Sequence, residues 1–195
     1  MGFSRAELES FRDATVPDLL GPDVRLLFVG INPGLWTAAA QAHFARRGNR
    51  FYPALLRAGI VDRLIDASAG YSTADRQHLL DRGIGITNLV ARATARADEL
   101  SAAELAAGAE KLAALVRRIR PQVVSVLGVT AYRQAFHRPR ATVGRQPEML
   151  DGSPLWVVPN PSGLNAHSSL DSLAAAYREV AEVARITSPR GTQSR

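Results

Sequence analysis

An asparagine held between turn-forming residues, in Gly30-Ile31-Asn32-Pro33-Gly34, closes a run of buried-type residues at 24–29. Pro33 lacks the N–H that would continue a strand, and the glycines permit backbone angles and close approaches that other residues resist. A polar side chain just beyond the carboxyl end of a strand stands where open α/β sheets bind their ligands. The segment Val157-Val158-Pro159-Asn160-Pro161-Ser162-Gly163-Leu164 repeats the plan, and the two loops are expected to form two lips of one cleft. An amide is a poor general base, so chemistry at Asn32 would rest on positioning a water or substrate and on dispersing charge.

Composition removes the competing chemistries. The chain has no cysteine, which excludes disulfides, cysteine nucleophiles and iron–sulfur clusters. Its four histidines, His43, His78, His137 and His167, show no metal-ligand spacing, so neither metal nor cofactor is expected. Lys111 is the single lysine and falls within a predicted core-packing helix, which leaves no plausible amine for a Schiff base. The Gly30–Gly34 loop lacks the Lys-Ser/Thr of a P-loop and the spacing of a dinucleotide fingerprint, which argues against a nucleotide hydrolase or transferase. The net charge is +6, and 23 of the 24 basic residues are arginine. Arginine suits phosphates and bases, although GC-rich coding sequence yields the same excess. The loop clusters Arg46-Arg47-Gly48-Asn49-Arg50 and Arg138-Pro139-Arg140 are more telling than the total.

The elements that must position these residues alternate between strand and helix. Strands are predicted at 24–29, 85–90, 121–128 and 155–158, the first being the continuous apolar kind of a buried parallel sheet. Helices are predicted at 4–14, 50–59, 73–81, 101–119, 130–136 and 170–186. Ser101 with Glu104 makes a capping box, and Gly59 and Gly83 act as stops. Residues 91–99 read as a polar loop. The fold class is therefore α/β, a three-layer sandwich with a mainly parallel central sheet flanked by helices. A single domain is expected over 1–186, with a disordered tail at 187–195. No apolar run approaches a membrane span and residues 1–12 are polar and amphipathic, so a cytosolic monomer is expected, with no membrane partner.

The motifs together carry a resemblance. Gly30-Ile31-Asn32-Pro33-Gly34, then Phe44 and Asn49-Arg50-Phe51-Tyr52, then Gly85-Ile86-Thr87-Asn88-Leu89-Val90, and finally Asn160-Pro161-Ser162-Gly163-Leu164 resemble the mismatch-specific uracil/thymine DNA glycosylase family, in order over most of the chain. The resemblance implies a uracil-DNA glycosylase-like fold and hydrolysis of the N-glycosidic bond of uracil, or a related damaged pyrimidine, opposite guanine in double-stranded DNA. Such an enzyme must flip the nucleotide, read its edge and fill the hole. The resemblance makes Asn32 the principal catalytic residue and Phe44 the ring that stacks on the flipped base, with core packing a compatible second use of Phe44. Main-chain N–H groups around Ile31 and Thr37 are candidate donors to the departing base, and Thr37 lies where a 5-substituent would point. Asn49 either binds the base or positions its loop, and Asn88 stands where some relatives have lysine.

Gly163-Leu164-Asn165 matches the intercalating wedge of that family, near Asn160 and Ser162, with His167 where some relatives place an arginine. Asp98 is either an extra acid or a solvated loop carboxylate. Without a Schiff-base lysine the enzyme would be monofunctional, leaving an abasic site. The remaining rival is a DNA-binding module that recognises damage without cutting.

Overall fold

The apolar run at 24–29 places every residue of its strand inside: β1 is Leu26–Gly30, buried throughout. The coordinates form a computed structural model that describes residues 2–163 and 168–186. β2 (Ile84–Asn88), β3 (Val123–Leu127), β4 (Gly144–Leu150) and β5 (Ser153–Val158) join β1 in one sheet of order β2-β1-β3-β5-β4. All pairings are parallel except β4 with β5.

Alternation along β1 builds two cores at once, because successive side chains leave a strand on opposite faces. Leu26 and Phe28 enter one core with α3 (Phe51–Arg57) and α7 (Leu170–Val183), where Phe28 meets Phe51 and Tyr177 at ring-centroid distances of 5.1 and 5.5 Å. Leu27 and Val29 enter the other with α5 (Ala102–Ile119) and α6 (Val129–Ala135), against Leu105, Leu112, Val116 and Tyr132. The result is the three-layer α/β sandwich expected. α5 opens with the Ser101–Glu104 capping box, and α4 (Thr73–Asp81) has the predicted bounds.

Three differences from the sequence expectations have local causes. The first helix, α1 (Arg5–Glu9), ends early. The chain after it pairs instead with the loop that follows β2, through Asp13 N–H to the Ala93 carbonyl and Ala93 N–H to the Ala14 carbonyl, both 2.9 Å. Farther on, Leu19 exchanges two hydrogen bonds with Ile86 and covers the outer edge of β2. A short helix, α2 (Leu35–Ala40), begins directly after the glycine-rich loop; its N-cap is Gly34, with no side-chain capping bond to signal it. β4 was not anticipated because Arg145, Pro147 and Glu148 interrupt its apolar pattern. Those residues suit an exposed edge strand, and its register shifts between Arg145 and Met149.

Candidate active site

Both lips open on one cleft. It lies beyond the carboxyl ends of β1 and β3, where the chain order of the sheet reverses. Its volume is about 600 Å³, and Ile31, Asn32, Thr37, Phe44, Asn49 and Asn88 line it together with Asp98, Asn160 and Ser162.

Asn32 is held in one orientation. Its Nδ2 donates to the Arg92 carbonyl at 3.0 Å and to Thr94 Oγ1 at 2.8 Å. A main-chain carbonyl can only accept, and the Thr94 hydroxyl spends its proton on the Arg96 carbonyl at 2.7 Å, so both positions demand an N–H from Asn32. Oδ1 is left without a hydrogen-bond partner among the described residues, on a side chain that lines the cleft. It is an acceptor ready for a donor such as water.

The loop that holds Asn32 is itself clamped. Arg92 pairs with Glu104 through Nε at 2.6 Å and Nη2 at 3.2 Å, and reaches Asp13 through Nη1 at 3.1 Å. Hydrogen bonding to Arg92, then to Ser101, holds the Glu104 carboxyl down to about 2. The pairing with Glu104 likewise raises the Arg92 guanidinium further above its ordinary range. The same glutamate thus caps α5 and anchors the residue whose carbonyl orients Asn32.

Phe44 lies across the cleft wall. Its ring stacks on Phe51 at 4.1 Å and 26°, while the side chain is only partly buried and lines the cleft. Its φ of +54° is a left-handed conformation that an aromatic residue adopts at a penalty, roughly 1–2 kcal/mol. Gly30 leaves room beside it, because a Cβ there would stand 2.4 Å from Asn88 Oδ1, displacing that side chain, and 3.4 Å from the Phe44 ring.

Asn88 is oriented by His43, which is 2% exposed. Burial pushes the His43 imidazole pKa down, with the Pro17 carbonyl and Asp18 opposing the shift and Arg76 adding to it. In the neutral ring Nε2 carries the proton, since its contact at 3.0 Å is the Pro17 carbonyl. Nδ1 is then the bare acceptor, and Asn88 Nδ2 donates to it over a long 3.4 Å.

The other asparagines do structural work. Asn49 Oδ1 accepts from Phe51 N–H at 2.9 Å and opens α3; Asn160 Oδ1 accepts from Ser162 N–H at 2.9 Å and shapes its turn. Asp98 sits in a short 3-10 helix, Ala97–Glu99, where it pairs with Arg96 at 2.5 and 3.0 Å and its side chain is 62% exposed. Thr37 is buried at the cleft wall. Gly163 adjoins the Arg46–Asn49 loop. Leu164, Asn165 and His167 lie outside the described residues, as does the tail at 187–195. Lys111 is within α5 as predicted but exposed, and it lines a separate groove rather than the cleft.

Sequence reasoning did not find Thr94, the Arg92 carbonyl or the role of His43, whose partners are remote in sequence. Arg50 was visible only as part of a motif. It donates to the Ser162 carbonyl at 2.8 Å and to that of Ser168, and its N–H reaches the Pro161 carbonyl at 3.0 Å, tying the Arg46–Arg50 loop to the second lip. Among the described residues no group of His, Cys, Asp or Glu could hold a metal ion, and no helix is long and apolar enough to cross a membrane.

The fold and the chain have relatives. A solution NMR structure of a candidate uracil DNA glycosylase from Methanosarcina acetivorans matches with a TM-score of 0.57 at 15% identity, over 86% of this chain and 98% of that one. That is a likeness of fold. The family model for the uracil DNA glycosylase superfamily matches residues 17–182, a span that includes β1, both lips of the cleft and nearly all of α7. By that match the chain belongs to the uracil DNA glycosylase superfamily.

Proposed function

We propose that this protein is a monofunctional DNA glycosylase that flips uracil, or a related damaged pyrimidine, out of double-stranded DNA opposite guanine and hydrolyses its N-glycosidic bond. The observation that carries the reading is the orientation of Asn32, whose amide hydrogens are both committed while Oδ1 remains available. In this reading Oδ1 accepts a hydrogen bond from water and holds its oxygen toward C1′. The N1–C1′ bond breaks with its electron pair going to the base. The water oxygen then bonds to C1′, and the released proton ends on the departing uracil anion. Because an amide barely assists deprotonation, bond breaking runs ahead of attack and most of the barrier is lowered by positioning and charge dispersal.

Phe44 supplies the stacking surface, with its other contact on Phe51 making the platform rigid. Asn88, anchored by neutral His43, presents its amide to the base edge. Thr37 lies at the cleft wall and limits the size of a 5-substituent. Leu164 would be the wedge that fills the vacated stack, flanked by Asn165 and His167. Its test is Leu164→Ala, which should slow excision from duplex more than from single strands; equal losses would remove the assignment. The single lysine lies outside the cleft, in line with an abasic product rather than a nicked strand.

The decisive experiment incubates the protein with a G·U duplex and treats the product with alkali. Strand cleavage only after alkali is the expected result. Binding without alkali-labile product would instead favour a damage-recognition module, and cleavage before alkali would remove the monofunctional assignment. A panel of duplexes with thymine, ethenocytosine and hypoxanthine then ranks the lesions.

A further inference from the structure

Beside the mouth of the cleft is a smaller concavity of about 180 Å³, lined by Arg46, Arg47, Gly48, Asn49, Ser162 and Gly163. The roles given to Asn32, Phe44 and Asn88 do not use it. Arg46 and Arg47 are exposed, and among the described residues neither side chain has an ion-pair or hydrogen-bond partner. Asp66 feels the Arg47 charge without pairing to it, its carboxylate being engaged by Ser68 N–H at 2.9 Å, and Asp98, which shares the cleft with Arg46, is paired with Arg96.

The concavity forms where the Arg46–Arg50 loop meets the second lip backbone to backbone. A Cβ on Gly163 would stand 2.9 Å from the Gly48 carbonyl oxygen, and Gly48 itself has a φ of +82°. No side chain from either glycine fills the space between the arginines. The junction is fixed from behind, since Arg50 N–H donates to the Pro161 carbonyl at 3.0 Å and the Arg50 guanidinium to that of Ser162 at 2.8 Å. Two guanidiniums without a partner among the described residues, over a glycine-containing turn held from behind, suit a compact oxyanion with several acceptor oxygens, and phosphate is the group that arginine forks match best. Arg46, Asn49 and Ser162 also line the base cleft, whereas Arg47 does not. An anion seated here is therefore next to whatever occupies the cleft.

We propose that Arg46 and Arg47 seat a backbone phosphodiester of the DNA strand that carries the target base. Arg46, shared with the cleft, couples this contact to placement of the flipped nucleotide, whereas Arg47 adds affinity. The inference rests on the glycosylase reading above, since it makes the occupant DNA rather than a free anion.

The test uses the full chain with Arg46→Gln and Arg47→Gln, both surface changes that should leave the melting temperature in place. Binding to a uracil-free duplex is measured across a salt series, so that it is read independently of excision. Each variant should flatten the dependence of log K on log salt by about 0.9, the loss of one phosphate contact. On a G·U duplex the Arg47→Gln loss should fall on KM, whereas Arg46→Gln should also lower the single-turnover rate at saturating enzyme. A single neutral methylphosphonate linkage, walked along the target strand of a G·U duplex, should weaken wild-type binding at one position and have a smaller effect there in each variant. Wild-type salt slopes in both variants, or specific competition by inorganic phosphate over chloride at equal ionic strength with those slopes unchanged, would overturn the proposal. If the wild-type protein releases no uracil, the glycosylase reading fails instead. The salt slopes on uracil-free duplex would still decide the seat.

Discussion

Thr94→Val preserves the branching of a side chain that is 1% exposed but deletes the oxygen that accepts from Asn32 at 2.8 Å and donates to the Arg96 carbonyl at 2.7 Å. In the native site, turning the Asn32 amide over would forfeit two hydrogen bonds and set Oδ1 against two acceptors, a penalty of about 2 kcal/mol or more at about 1 kcal/mol per bond. With valine only the Arg92 carbonyl discriminates. The preference falls to about 1 kcal/mol, which still leaves roughly five of every six amides correctly turned. Misorientation alone would therefore lower the rate only slightly. The larger effect is that the amide pivots about one remaining bond, and loss of its second restraint at about 1–2 kcal/mol corresponds to a rate roughly 5–30-fold lower.

The assay for Thr94→Val is single-turnover release of uracil from a G·U duplex with enzyme in excess, alongside duplex affinity and a denaturant midpoint. Affinity should hold, and stability should fall by about 1 kcal/mol because a part-buried N–H and a carbonyl each lose a partner. Thr94→Ser restores the oxygen and should recover most of the rate. If Thr94→Val releases uracil as fast as wild type while Thr94→Ser offers no advantage, the Thr94 contact does not hold Asn32 for catalysis.

Two further predictions follow from the cleft wall. Phe44→Leu keeps an apolar side chain on Phe51 but removes the π-face, and should weaken binding of a flipped base by about 1–3 kcal/mol, read as a higher KM on uracil duplexes with little change on undamaged DNA. His43 has its folded pKa held below 6.5, mainly by burial, so between the folded value and 6.5 the unfolded chain binds more protons. The His43 contribution to stability is complete above 6.5 and is lost as pH falls through the folded value. A denaturant-midpoint series should show this decline for wild type and a flatter profile for His43→Gln; an equally steep profile in the variant would assign the decline to other groups.

The sequence was legible where one residue's surroundings are made by its neighbours. β1 could be read because both faces of a buried parallel strand are apolar, and α5 because Ser101 and Glu104 cap it locally. α2 has no capping side chain, and β4 carries the charges and proline of an exposed edge, so neither gave a local signal. The same division runs through the cleft. Asn32, Phe44 and Asn88 stand out by motif. Their orienting partners do not, because the Arg92 carbonyl and Thr94 reach Asn32 across 60 and 62 residues, and His43 reaches Asn88 across 45. Backbone acceptors such as Arg92 and Pro17 have no residue-type signature at all. Asn49 and Asn160 show the converse, since both match motif positions yet spend a side-chain oxygen on local turns.

The proposed role of Asn32 in holding the attacking water is tested most directly by the single-turnover rate of uracil release from a G·U duplex by wild type and by Asn32→Ala at saturating enzyme. The alanine variant should bind the duplex as wild type does and release uracil at least about 100-fold more slowly, the lower end of the range expected when a positioned catalytic group is removed. A wild-type rate in Asn32→Ala would contradict it.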